Sequence, residues 1–374
     1  MLFNVCALYI KIMNNENQTI HKSDDNLTIY GWNEKLNQLK QESIYSALAH
    51  GRVSIVHRTC YEVISGNGLF QCELTGNMMY GKSDDELPCT GDWVIFQPFD
   101  EHKGIIVDSL PRERTLYRKK SGTVADKQAI ASYVDKAFIV QSLDDNFNVR
   151  RVERFMVQIM EENISSVLVL NKADLDFDRQ SVEEQIKHIS SQIPVFFTSI
   201  HQLETIVRLR KSISEGETVV FVGSSGVGKS SLVNALCEKS VLLTSDISLS
   251  TGKGRHTSTR REMVLMDSSG VLIDTPGVRE FGLAIDNPDS LTEMFEISDY
   301  AESCRFSDCK HIDEPGCAVL EAVHNGTLDH KVYESYLKLR REAWHFSASE
   351  HEKRKKEKSF TKLVEEVKKR KANF

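Results

Sequence analysis

No apolar run in this 374-residue chain approaches the ~20 residues that a membrane-spanning helix needs; stretches such as residues 167–170 are far shorter. The first ten residues are mildly apolar but lack a basic lead-in and a small-residue cleavage site, so no export signal is expected. Met13 is an alternative start, because residues 14–25 read as a polar leader. No internal repeat is present, which excludes solenoids and propellers. Overall the chain is mildly acidic, with a net charge of −7. That balance confines any contact with RNA to particular faces. The exception is the tail from His351, where ten Lys/Arg face four Glu; it reads either as a solvated helix end or as a nucleic-acid contact.

What remains is an ordinary globular composition, 40% hydrophobic and 27% charged, on a chain too long for one compact core. Residues from about 45 to 107 read as short alternating strands, among them GRVSIVHR, LFQCEL and GDWVIFQPF. Strands of this length predict a small β-barrel. From Lys136 the rhythm changes to apolar strand followed by amphipathic helix: KAFIVQSL, SSVLVLN, IPVFFTS and ETVVFVG, with helices over 151–162, 179–191 and 230–236. That alternation marks a parallel sheet covered by helices. Beyond Asp286 the pattern is helical and rich in Cys and His, then helical and charged.

Residues 223–230 read GSSGVGKS, follow the strand ETVVFV and open the helix SSLVNALC. Glycines let the backbone of Gly223, Ser224, Ser225, Gly226, Val227 and Gly228 curl so that N–H groups face phosphates, and the helix start adds its dipole. Lys229 would reach the β- and γ-phosphates, the Ser230 hydroxyl would ligate Mg²⁺, and Ser231 is counted with the GTP-binding residues. Such a loop does not choose between ATP and GTP, whereas NKAD does. Asn171, Lys172, Ala173 and Asp174 stand at the carboxyl end of SSVLVL, where open α/β sheets bind ligands. The Asp174 carboxylate can accept from guanine N1–H and the 2-amino group. Adenine would leave it unpaired. Asn171 addresses the O6/N7 edge, the Lys172 stem packs over the ring, and Thr198 with Ser199 completes the pocket through backbone N–H.

Asp274-Thr275-Pro276-Gly277 closes a hairpin-like stretch. Asp274 suits an indirect Mg²⁺ contact, and the Gly277 N–H can sense the γ-phosphate. In the intervening TGKGRHTSTR a threonine should bind Mg²⁺ and γ-phosphate, Thr257 first and Thr259 next. Val278 stands where many GTPases place a water-orienting Gln, and valine cannot orient water. His256 is the nearest titratable substitute, its alternative being a plain loop residue. The guanine motif precedes the phosphate loop, the reverse of Ras-like order, so the motif set is circularly permuted. DTPG then feeds directly into whatever lies C-terminal to it.

Of eight cysteines, five (Cys6, Cys60, Cys72, Cys89, Cys237) are scattered, while Cys304, Cys309 and Cys317 crowd around His311. Three thiolates and one imidazole leave no open position and suit structural Zn²⁺, one per chain.

Taken with YGWNEKL, GDWV, GKGRHTSTR and DTPGVREFG, these motifs resemble the circularly permuted GTPases that mature the small ribosomal subunit, the RsgA (YjeQ) family, over nearly the whole chain. The resemblance implies a multidomain fold: an N-terminal extension (1–44), an OB-fold barrel (45–115), a permuted α/β P-loop GTPase domain (116–284) and a zinc-binding helical domain with a basic tail (285–374). It also implies a cytoplasmic, monomeric GTP hydrolase acting on a phosphoric anhydride, with Lys229, His256 and Thr257 catalytic. The implied partners are GTP/GDP, the small ribosomal subunit and its rRNA, without a membrane. Ser258 departs from the family's threonine run after that histidine, which leaves Thr257 and Thr259 both open as the metal ligand. Two other function classes stand against the hydrolase: an RNA-binding module gated by nucleotide, and a P-loop ATPase or nucleotide kinase, which NKAD opposes.

Overall fold

The computed structural model describes residues 27–81, 83, 85–119, 127–237, 262–266, 270–274 and 289–347. Five strands, β1 (Ala49–Val56), β2 (Tyr61–Ser65), β3 (Gly68–Leu74), β4 (Trp93–Asp100) and β5 (Lys103–Ser109), close into a barrel. The ring runs β1-β2-β3-β5-β4 and returns to β1, with β3 and β5 its single parallel pair. Closure removes the sheet edges, the OB-like solution for short strands. Val53, Val63, Phe70, Cys72, Phe96 and Ile106 fill the interior. Helix α1 (Glu34–Glu42) is capped by Asn33, whose side chain accepts from the Leu36 N–H at 3.1 Å. With it, Leu27, Trp32 and Leu36 pack on Trp93 and Ile95, so this part of the N-terminal region joins the barrel's outer face. A one-turn helix, α2 (Gly76–Gly81), follows β3.

A hairpin of β6 (Leu116–Lys119) and β7 (Lys127–Ala131) leads to the second sheet. There β8 (Lys136–Ser142), β9 (Ser165–Asn171), β10 (Val195–Thr198) and β11 (Thr218–Val222) are parallel, and β13 (Val271–Asp274) runs parallel to β11. The edge strand β12 (Glu262–Leu265) is antiparallel to β13, the expected hairpin. The order is β10-β9-β8-β11-β13-β12, and β12 meets barrel strand β1 at Glu262 and Ile55. Helices α3 (Val149–Glu161), α4 (Arg179–Gln185), α5 (Lys187–Ser190), α6 (Leu203–Lys211) and α7 (Lys229–Leu236) cover the sheet. The single helix expected over 179–191 is two pieces, because Ile186 turns out of helical geometry (φ −98°, ψ 7°) and buries its side chain.

The described C-terminal part is helical: α8 (Asp289–Met294), α9 (Ser298–Ala301), α10 (Ala318–His324) and α11 (His330–Ser347). Leu291, Met294, Phe295, Tyr336 and Leu339 share one apolar core with Val152, Phe155, Met156 and Ile159 of α3. Burial on this scale, about 25 cal/mol per Å² of apolar surface, holds these helices to the sheet.

Barrel and sheet are also joined by a buried cation. Arg52 of β1 is 1% exposed. It donates to the carbonyls of Gly91 (2.9 Å) and Tyr30 (2.5 Å) and to Thr218 Oγ1 (2.9 Å), the first residue of β11. Burial brings its pKa down to about 10. The guanidinium lies 5.5 Å from the Trp93 ring, beside a cavity of about 390 Å³.

Candidate nucleotide site and metal centre

The carboxyl ends of β11, β9, β10 and β13 bring the expected motifs together. After β11 the chain enters Gly223 at φ 150°, where a Cβ would meet the Val140 carbonyl at 2.4 Å. Gly228, at φ 91°, has a Cβ position only 2.3 Å from Asn171 Nδ2. Both sites therefore need glycine for space as well as for conformation. Val227 is buried beneath the loop, Ser225 and Gly226 are exposed, and Ser230 and Ser231 lie in the first turn of α7. Lys229 Nζ donates to the carbonyls of Gly223 and Ser224, both at 2.7 Å.

The guanine-reading loop is fastened to the phosphate loop by Asn171, which donates from Nδ2 to the Val227 carbonyl at 2.9 Å. Asn171 Oδ1 accepts from Thr198 Oγ1 (3.2 Å), and Ser199 Oγ donates to Asp174 Oδ1 (2.5 Å). That hydroxyl holds the Asp174 carboxyl below its usual range, so an exposed, ionised acceptor faces outward. The Ala173 N–H donates to the Thr198 carbonyl (3.0 Å). The Ser199 N–H is engaged by Thr205 Oγ1 (3.0 Å). In this structure, then, Thr198 and Ser199 fix Asn171 and Asp174 through their side chains. Lys172 takes φ 62° and pairs with Asp144 Oδ2 at 2.9 Å. Burial raises the Asp144 carboxyl, but hydrogen bonds from Lys172, Ser142 and the Asn146 N–H outweigh it and hold it at about 2.

Asp274 ends β13 beside the phosphate-loop strand. Gly277, His256, Thr257, Thr259 and Val278 lie outside the described residues. Two contacts escaped the sequence reading. Asp144 follows β8 at the ligand-binding edge of the sheet, a position that could have marked it. Arg151 of α3, whose Nη1 donates to Ser224 Oγ at 2.9 Å, carries no motif.

Away from the nucleotide site, the ligand atoms of Cys304, Cys309, His311 and Cys317 all lie within 4.8 Å of one another. Cys304 and Cys317 Sγ are 3.9 Å apart, and each lies 3.5 Å from His311 Nδ1. A tetrahedral zinc with its usual bond lengths requires about 3.8 Å between sulfurs and about 3.5 Å between sulfur and nitrogen. The donor set therefore fits the ion. Burial lowers the His311 pKa, favouring the neutral imidazole that a metal binds. Burial opposes the Cys304 thiolate, but the N–H groups of Ala318 and Val319 at the start of α10 bring its pKa down. Helix α11 braces the loop from outside: Tyr333 Oη donates to the His311 carbonyl at 2.6 Å, and Arg340 donates to that of Lys310.

A phosphate loop locked to a guanine-reading loop that precedes it, on a parallel sheet between a barrel and a Cys/His helical region, defines a circularly permuted GTPase. A family model described as RsgA GTPase matches residues 109–284, and one described as 50S ribosome-binding GTPase matches residues 218–371. The small ribosomal subunit biogenesis GTPase RsgA 1 of Bacteroides thetaiotaomicron is 80% identical over 97% of this chain and 100% of its own length. The RsgA protein of Methanosarcina acetivorans is 38% identical over 87% and 89% of the two chains. Among solved structures, YjeQ from Thermotoga maritima is similar with TM-score 0.61 and 27% identity, covering 79% of this chain and 98% of that one. YloQ, a circularly permuted GTPase, shares the fold at TM-score 0.60 and 22% identity, over 81% and 97%. The chain belongs to the RsgA family of GTPases, as the sequence motifs led one to expect. Among the described residues no helix is long and apolar enough to cross a membrane.

Proposed function

We propose that this GTPase acts in the cytoplasm, docks as a monomer on the small ribosomal subunit through rRNA, assists late maturation, and couples GTP hydrolysis to release. The observation that carries the nucleotide reading is the Asn171 bond to the Val227 carbonyl (2.9 Å), which sets guanine recognition and phosphate cradle at one fixed spacing. In this reading Asp174 accepts from guanine N1–H and the 2-amino group, Asn171 addresses its O6/N7 edge, and Lys172 packs over the ring. Residues 223–231 hold the phosphates, Lys229 meets the β- and γ-phosphates, and Ser230 with Thr257 ligates Mg²⁺. Asp274 contacts that ion indirectly and Gly277 senses the γ-phosphate. His256 assists the attacking water, because Val278 cannot. Zinc in the Cys304–Cys309–His311–Cys317 set supplies structure, since four protein ligands leave no water site. The same reading divides the chain at residues 45–115, 116–284 and 285–374, with the described barrel strands, parallel sheet and C-terminal helices in its support and the segment from Leu27 packed on the barrel.

The deciding measurement is single-turnover GTP hydrolysis titrated with purified small subunits. Large subunits serve as the control, given the second matched family description. Acceleration by the small subunit alone is expected. Equal rates with and without it would leave a nucleotide-gated RNA-binding module in which hydrolysis is incidental.

A further inference from the structure

Helix α3 begins at the nucleotide site and ends beneath the C-terminal helices. Its side chains form a line of contacts that belongs to none of the nucleotide motifs. At its first turn Arg151 reaches Ser224 Oγ (2.9 Å), with the Asn146 carbonyl as a second acceptor at 3.4 Å. One turn on, Arg154 Nη2 donates to both carboxylate oxygens of Glu342 on α11, at 2.9 and 2.7 Å. Between them the buried face of α3 shares its core with α8 and α11. At the far end Gln158 Nε2 donates to the Tyr117 carbonyl (2.8 Å). A continuous α-helix moves as a rod, so a shift at its first turn reaches its partners along the whole length.

The phosphate loop supplies a reason for such a shift. Lys229 Nζ is bonded to the Gly223 and Ser224 carbonyls. To serve phosphates it must exchange those acceptors for phosphate oxygens, which releases the Ser224 peptide while the Ser224 hydroxyl stays tied to Arg151. The Arg154–Glu342 pair is partly exposed on both sides, which suits a contact that breaks and reforms.

We propose that Arg151 is a positioning residue of the phosphate loop, and that α3 carries nucleotide state from Ser224 to the C-terminal helix through Arg154 and Glu342. This route is separate from the DTPG connection and rests on the nucleotide reading of the loop. The test is amide hydrogen exchange of residues 330–347 in the full chain, at saturating GDP and at saturating non-hydrolysable GTP analogue. Wild type should show at least a threefold difference in exchange rate between the two nucleotides. Arg151→Ala and Glu342→Arg should each abolish that difference, and Arg154→Glu combined with Glu342→Arg should restore it; thermal melts confirm that each variant is folded. A full difference in Arg151→Ala, or no rescue by the charge swap, overturns the relay while leaving nucleotide binding intact. Failure of wild type to bind either nucleotide would instead overturn the reading of the loop, and the relay with it.

Discussion

Replacing Arg52 with Ala removes a buried charged side chain that ties the barrel to the strand leading into the phosphate loop. Three short bonds are lost, to the Gly91 and Tyr30 carbonyls and to Thr218 Oγ1, with a long one to the Tyr133 carbonyl at 3.5 Å. Each charge-assisted bond is worth about 2 kcal/mol, or about 6 kcal/mol together. Against this stands the cost of burying the guanidinium. Partly offset by the nearby charges of Asp135 and Asp92, that cost leaves a pKa of about 10 in place of 12.5, or about 3 kcal/mol at ~1.4 kcal/mol per pH unit. The adjoining cavity lets water reach some of the abandoned acceptors, so the penalty should not exceed the difference. A loss of about 3 kcal/mol is expected. Urea unfolding followed by tryptophan fluorescence suits the measurement, because Trp32 and Trp93 lie 4.9 Å apart at this junction. Arg52→Lys should recover part of the loss, since an ammonium presents fewer donors in a different geometry. A loss below about 1 kcal/mol, or full recovery by lysine, would refute the clamp.

Asp174→Asn should shift preference from guanosine toward xanthosine nucleotides, because an amide can donate to the xanthine 2-oxo group; unchanged GTP affinity in a competition assay would remove Asp174 from base recognition. Elemental analysis should find about one zinc per chain, with Cys309→Ser lowering both zinc content and the stability of the helical region; a folded, metal-free wild type counts against the site. Asp144 is held at about 2, below its ordinary 3.8. Its contribution is therefore present above pH 4 and is lost as pH falls toward 2. Asp144→Asn should flatten stability over that window by less than about 1 kcal/mol, since the pair is partly solvated; an unchanged acid limb in pH-dependent urea melts would dismiss it.

The convergence of GSSGVGKS with NKAD and the Cys/His cluster were legible because each motif is a short run whose chemistry depends on spacing within a few residues. The parallel strands were legible for a related reason: buried on both faces, they read as continuous apolar runs, as in SSVLVLN. Arg52 was hidden by the same principle working in reverse. In a half-exposed barrel strand, a charged residue alternating with Val53 reads as solvent-facing. The outer face of β1 is covered by the N-terminal segment and by β11, so five consecutive residues, from His50 to Ser54, are buried. Nothing local announces that cover. The β6–β7 hairpin was missed because LYRK and KQAIA have no strong alternation, and Ile186 interrupts a helical pattern that its own hydrophobicity continues.

Permutation explains why contacts invisible to sequence cluster where they do. In the reversed order the barrel enters the sheet at the amino end of β8, and the helical region follows β13 in the chain, so both additions attach to strands that carry or flank the nucleotide motifs. The barrel gains two holds on the core, the β1–β12 pairing at Ile55 and Glu262 and the Arg52 bond to Thr218. The helical region gains α3, which meets Ser224 at one end and Glu342 one turn later. Each hold falls on a strand or loop bearing a nucleotide motif, or on its immediate neighbour. Both attached domains therefore contact the nucleotide-binding core through packed side chains as well as through the chain. Interfaces of this kind switch between discrete arrangements more readily than they deform, which is what the proposed coupling of hydrolysis to release would require.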